Sequence, residues 1–368
     1  MRNDQKNALV FKRRAMAGIS ALALAASGAL ATSMGAKAQT RWTGNTSSNW
    51  FDPANWNSGV PGPWTALGTY PFDAVIDNGA ASPAVIGSAG AEAGTLVVGR
   101  IATGRLNVTA GGTLTVNGYA GSGPFALLIG DQGSGNGAVT VSGAGASLSA
   151  SGIAVGRAGT GRLDILSGGL VGSSLGYVGV DAGSQGTAVV DAAVWNVGQL
   201  FVGSYGTGQL TLQNGGKVTV TNMLGATAGM YANSTGTITV DGAGSVLDDQ
   251  GTLTSMTLGY NGTGHLIVSN QGLATSVGAC VGCGSGGVGT ALVTGAGSKW
   301  QITGLGNSYV IGGSGTGTLT VENGGLFQAD SGNAAVTFGS EATGRGTLHL
   351  TTGGKAQFSF LYLGGWAA

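Results

Sequence analysis

Charge is scarce in this chain of 368 residues: 15 Lys and Arg, 15 Asp and Glu, and 8% charged residues in all. With no basic excess, the composition argues against a nucleic-acid binder. Proline numbers only 6 and cysteine only 2, so the chain is neither a proline-rich spacer nor a disulfide scaffold. After the first forty or so residues there is no uninterrupted apolar run of about eighteen residues, so no later segment can span a bilayer as a helix. What the chain has instead is glycine, 75 residues of it, beside 42% apolar content. Glycine at that level without a strict every-third-residue repeat excludes collagen, and the apolar fraction is too high for a disordered linker. A core is buried, but turns interrupt it constantly.

The N-terminal residues read as an export signal. Arg2, Lys6, Lys12, Arg13 and Arg14 stand against the single acid Asp4. Residues 15–34 are uncharged and carry Ile19, Leu22, Leu24 and Leu30, and Ala36-Lys37-Ala38 supplies small residues at both specificity positions of a leader-peptidase site. Residues 1–38 are therefore expected to be a cleaved signal peptide, the alternative being a membrane anchor. Arg13-Arg14 would also allow a twin-arginine route. The leader holds six basic residues and one acid, so the remainder keeps nine Lys and Arg against fourteen Asp and Glu, a net charge of about −5.

Beyond about residue 95 the chain repeats. Apolar segments ending in glycine recur as Leu96-Val-Val-Gly99, Leu127-Leu-Ile-Gly130, Ile153-Ala-Val-Gly156, Tyr177-Val-Gly179, Phe201-Val-Gly203 and onward to Tyr362-Leu-Gly364, with a mean period of about 26.5 residues. A second strand follows a short glycine loop, as in Thr103-Gly-Arg-Leu-Asn-Val108, Thr160-Gly-Arg-Leu-Asp-Ile165 and Thr207-Gly-Gln-Leu-Thr-Leu212. Alternation there places Leu106 and Val108, Leu163 and Ile165, Leu210 and Leu212, and Leu319 and Val321 on one face. After a Gly-Gly or Gly-Ala-Gly turn comes a third strand, such as Leu114-Thr-Val116, Val218-Thr-Val220 or Trp300-Gln-Ile302. A unit of this size cannot bury its own apolar face, but stacked units can. The fold class predicted is all-β: a parallel β-solenoid (β-helix) of about 11 three-strand rungs, roughly 27 residues each, some 50 Å long at about 4.8 Å per rung. An antiparallel sandwich would have no reason to repeat one turn sequence every 27 residues. The domains read as 1–38 signal, 39–94 Trp-rich N-terminal cap and 95–368 solenoid.

The alternation of an "xVG…TGxLxV…GG" half with a "VG…GxVxVxGAGS" half resembles the repeat shared by type V secretion (autotransporter) passenger domains and PEP-CTERM-type surface proteins. The segment from Trp42-Thr-Gly-Asn45 through Asn49-Trp-Phe-Asp-Pro-Ala-Asn-Trp56 to Val60-Pro61 is similar to the Trp-rich stretch that opens such passengers. The resemblance implies a right-handed parallel β-helix exported to the cell surface, outer membrane or exterior of a Gram-negative bacterium, serving adhesion, aggregation or biofilm formation. Its partners would be host, matrix or neighbouring-cell surface ligands or glycans. The family's translocator barrel is missing from the sequence, which stops inside a further repeat at Leu361-Tyr-Leu-Gly-Gly-Trp-Ala-Ala368, and is expected outside this segment.

Candidate site residues are few. Trp42, Trp50, Trp56 and Trp64 could stack on sugars, or else close the end of the solenoid as a cap, which would otherwise expose apolar interior and unpaired strand edges. Parallel β-helices also host polysaccharide lyases and hydrolases, the rival function, which need clustered carboxylates. Asp191 and Asp241 share a column but stand two rungs apart with Gln213 between them, and Asp164 belongs to another column. Only Asp248-Asp249 is a local acidic pair, and adjacent strand residues face opposite ways unless a loop lets them converge. Gly172-Ser-Ser174-Leu-Gly176 satisfies the G-x-S-x-G pattern, yet lacks both a nearby histidine and the strand-turn-helix context of a nucleophile elbow. His265 and His349 are read as separate solvent-facing side chains. Cys280 and Cys283 are a candidate local disulfide or an adjacent thiol pair, since zinc would need two further ligands. No catalytic residue, metal or cofactor is expected.

Overall fold

Alternating apolar residues and closely spaced glycine turns wind the chain into a β-solenoid. The computed structural model describes residues 39–62, 73–79, 82–118, 123–252, 256–304, 308–329 and 335–364. The expected signal segment 1–38 and Trp64 lie outside them. Each turn contributes one strand to each of three parallel columns. The glycine-terminated strands form the first, including Asp73–Ile76, Leu96–Val98, Leu127–Ile129, Ala226–Ala228 and Phe360–Leu363. The TGxLxV strands form the second, an 11-stranded sheet running from Ala84–Ile86 through Thr103–Val108 and Thr207–Gln213 to Arg345–Leu350. The third contains Ala91–Ala93, Thr113–Val116, Lys217–Val220, Leu273–Ser276 and Lys355–Phe358.

Pairing in register makes the interior a set of single-residue ladders. Leu106, Val139, Leu163, Ala188, Leu210, Ile238 and Leu266 succeed one another in the second sheet, each with no exposed area. Val108, Val141, Ile165, Val190, Leu212 and Val240 form the ladder two residues on, because side chains on one face recur with period two. The single face predicted by alternation is therefore the core face, and both ladders lie on it. Trp195, Trp300, Tyr309 and Phe327 fill the wider parts of the interior and are completely buried. Among the described residues, no helix is long and apolar enough to cross a membrane.

Glycine at the turn after each first strand is a steric requirement. Gly203 has φ +69, and a Cβ built there would overlap the backbone of Thr235 in the next turn. Substitution is thus opposed twice, by conformation and by the neighbouring rung.

The solenoid begins earlier than residue 95. Asp73–Ile76 pairs in parallel with Leu96–Val98, Ala84–Ile86 with Thr103–Val108, and Ala91–Ala93 with Thr113–Val116. The segment assigned to the cap therefore includes a whole further turn. Its short strands lack the glycine-terminated repeat signature, which is why periodicity alone set the boundary too late. Ahead of that turn Gln39–Arg41 adds one more strand to the first column. At the other end Leu350, Phe360 and Leu363 are 47%, 49% and 78% exposed, since no described residues stack on that turn.

Candidate functional site

The corner between the third and first columns is where the turns differ most. In three consecutive turns a single nine-residue strand runs around it without a loop: Ser147–Val155, Leu170–Val178 and Val194–Val202. In the turn before, a longer connection separates Thr113–Val116 from Leu127–Ile129, and in the turn after, residues 221–225 separate Lys217–Val220 from Ala226–Ala228. The three loop-free turns thus leave a notch beside the connection that carries Thr221 and Asn222. It is an open groove of about 480 Å³, lined by Ser149, Ala150, Gly172, Ser173, Ser174, Gly198, Thr221 and Asn222. None of these side chains is charged.

Small residues make the groove and a large one supports its floor. A Cβ on Gly172 would meet nothing within 4 Å, as expected where the side chain would project into open space. Ser173 stands in the inward column between Ala150 and Val197, and its Oγ accepts from Trp195 Nε1 at 3.1 Å. Gly176 makes room for that indole, since a Cβ there would come within 2.7 Å of the Trp195 ring.

Along the same turns the outward side of the first column carries aromatic rings. Tyr177 alternates with the inward Gly176 and Val178, and its ring centroid lies 5.0 Å from Phe125 and 4.6 Å from Phe201. Burial pushes the Tyr177 phenol up to about 12, with the neighbouring Tyr205 adding to the shift. Around the next bend Tyr205 and Tyr231 are stacked at 4.0 Å with an interplanar angle of 8°. Phe201 is only 4% exposed although it points away from the core. Sequence alternation identifies such positions as outward and cannot tell that neighbouring turns cover them.

The sequence-nominated tryptophans are closed in. Trp42, Trp50 and Trp56 are 3%, 0% and 4% exposed and join the main core. Trp56 meets Trp42 and Trp50 edge-on at 5.1 and 4.8 Å and donates from Nε1 to the Trp50 carbonyl at 2.8 Å, while Trp42 Nε1 donates to the Ser82 carbonyl at 2.9 Å. A sugar needs an accessible ring face, so the glycan-contact reading fails for these three and the cap reading describes them. Trp64 lies outside the described residues.

The acidic side chains are dispersed and held. Asp191 accepts from Gln213 Nε2 at 2.7 Å and Asn214 Nδ2 at 3.0 Å; Asp241 accepts from Ser269 Oγ at 2.6 Å and Asn270 Nδ2 at 2.7 Å. Asp131 lies between Arg100 and Arg157 in the turn loops, and Asp164 pairs with Arg162 at 2.7 Å. Asp248 and Asp249 do diverge: Asp248 is outward, accepting from Gln250 Nε2 at 2.8 Å, whereas Asp249 is inward and 2% exposed. Asp249 accepts from the backbone N–H groups of Ala226 at 3.2 Å and Gly251 at 3.0 Å. Loss of water raises its pKa to about 6, with the Asp248 charge adding a little and the two N–H donors opposing. Among the described residues, no three His, Cys, Asp or Glu side chains are grouped to hold a metal ion.

His265 and His349 stand at different register positions and in different turns of the second sheet, His265 pairing with Thr290 and His349 with Thr320. The His265 ring lies 2.7 Å from Thr290 Oγ1, and burial lowers its pKa. Cys280 and Cys283 are joined in a disulfide, Cα to Cα 5.7 Å, across the turn that follows Ala279–Val281. The groove itself was missed in the sequence. Its one signal was the G-x-S-x-G match, whose Ser173 and Ser174 do line it, although no histidine stands nearby.

No family model and no solved structure matches the chain. Over 187 residues, 48% of this chain and 13% of the relative, it is 33% identical to the uncharacterized lipoprotein YdeK of Escherichia coli (strain K12). The chain is therefore similar to a small part of a much longer protein.

Proposed function

We propose that this chain is an exported, surface-displayed β-solenoid of a Gram-negative envelope, a passenger-like structural or adhesive element with no catalysis of its own. One observation carries the reading. An 11-stranded parallel sheet forms the side of a continuous rod, and the carboxylates Asp191, Asp241 and Asp164 are tied to neighbouring side chains. Such a rod holds surface residues at fixed spacing away from its point of attachment, which suits adhesion or spacing. A relative named as a lipoprotein supports an envelope location, and the basic, then apolar, then small-residue leader supports export. Host, matrix or neighbouring-cell ligands and glycans are its proposed partners.

The test is display. In bacterial cells producing the full gene product, the chain should be cleaved by protease added outside the cells, and its deletion should reduce aggregation or attachment. Retention in the cytoplasm, or attachment unchanged by deletion, would sink the reading.

A further inference from the structure

We infer that the notch over the three loop-free turns is a binding site for an unbranched neutral glycan lying along the solenoid axis. This deepens the adhesive reading above by naming the ligand class. Three observations carry it. The groove sits where three successive turns pass the corner without a loop, and Thr221 and Asn222 of the next turn wall one end of it. Its lining offers hydroxyl, amide and backbone groups from Ser149, Ser173, Ser174, Thr221 and Asn222, and no charge. A polyol satisfies such groups, whereas an ionic ligand would find no counter-charge.

The spacing also fits. Successive turns of a parallel solenoid are about 4.8 Å apart, comparable to the length of one sugar ring in an extended chain, so consecutive rings would meet equivalent groups on consecutive turns. An extended peptide is the less favoured occupant. It would bind by adding a strand to a free sheet edge, but Leu170–Val178 is paired along both sides, to Ser147–Val155 and to Val194–Val202. Hydrolysis is not part of the proposal, because Ser173 and Ser174 have no histidine partner: His265 and His349 lie in later turns of another sheet.

The experiment is calorimetric titration of the chain with cellohexaose, chitohexaose and mannohexaose, and with a charged oligogalacturonate of the same length. At least one neutral hexasaccharide should bind and the oligogalacturonate should not. A Cβ on Gly172 meets nothing within 4 Å, so Gly172→Gln extends a side chain into the groove, and Asn222→Ala removes a wall group. Each should weaken binding by about ten-fold or more, the loss of one or two hydrogen bonds, with an unchanged Tm. No binding by any neutral hexasaccharide, preference for the charged one, or full affinity in Gly172→Gln overturns the proposal. Attachment of cells displaying the same variants separates the two readings. Attachment without hexasaccharide binding removes the groove alone, and binding without attachment removes the adhesive role alone.

Discussion

Trp300 Nε1 donates to Ser276 Oγ at 3.2 Å, from one turn of the third column to the turn before it, and both side chains are completely buried. Trp195 repeats the arrangement with Ser173 at 3.1 Å. An indole is wide enough to span the interior, but its N–H must find an acceptor once water is excluded. The serine two residues along the preceding strand supplies it. The two pairs differ in one respect: Ser276 is sealed, whereas Ser173 lines the groove.

That difference predicts unequal costs. Ser276→Ala should destabilise the chain by about 1–3 kcal/mol, the penalty for a buried donor left unpaired. Ser173→Ala should cost less than about 1 kcal/mol, because groove water can replace the hydroxyl. Urea unfolding of the two variants measures both, and equal losses would contradict the account.

Asp249 makes stability depend on pH in an unusual direction. Its folded pKa of about 6 lies above its ordinary value of 3.8, so the folded chain holds the proton more tightly than the unfolded one. The carboxyl's favourable contribution is complete below pH 4 and is lost as pH rises toward and through 6. The span amounts to about 3 kcal/mol. In Asp249→Asn this part of the pH dependence should vanish, seen as a flatter plot of Tm between pH 4 and 7. A Tm that falls as steeply in the variant as in the parent would assign the effect elsewhere.

Trp56 is the hub of the N-terminal cap, touching both Trp42 and Trp50. Trp56→Ala should cost about 3–5 kcal/mol, the range for deleting a large buried aromatic. Because the cap covers the end of a stack, the lost protection should be greatest in the first turns. Amide exchange would register it as faster exchange in Asp73–Ile76 and Leu96–Val98 than in Thr263–Ser269.

The disulfide should be dispensable for the fold. Cys280 and Cys283 are three residues apart, and closing so short a loop restricts the unfolded chain little. Replacing both by serine should lower stability by no more than about 2 kcal/mol and leave the β-rich circular dichroism spectrum unchanged.

The repeat was legible in the sequence because its determinants are local. A period of two sends Leu106 and Val108, Leu163 and Ile165 inward, and glycine marks each bend, so the core faces and the coiling follow from spacing alone. The divergence of Asp248 and Asp249 follows from the same alternation, and the closeness of Cys280 to Cys283 from their separation. Other features depend on residues a whole turn or more away. Nothing near Trp42, Trp50 or Trp56 says that they will close over one another, and the strands of residues 73–93 join the stack through pairing with the turn above rather than through a repeat signature of their own. Alternation calls Phe201 outward, but only the neighbouring turns cover it. The groove exists because three successive turns omit a connection that their neighbours include. A local pattern decides which way a side chain points; what it meets there is decided by the stacked turns, since each surface in a solenoid is built from segments about 27 residues apart.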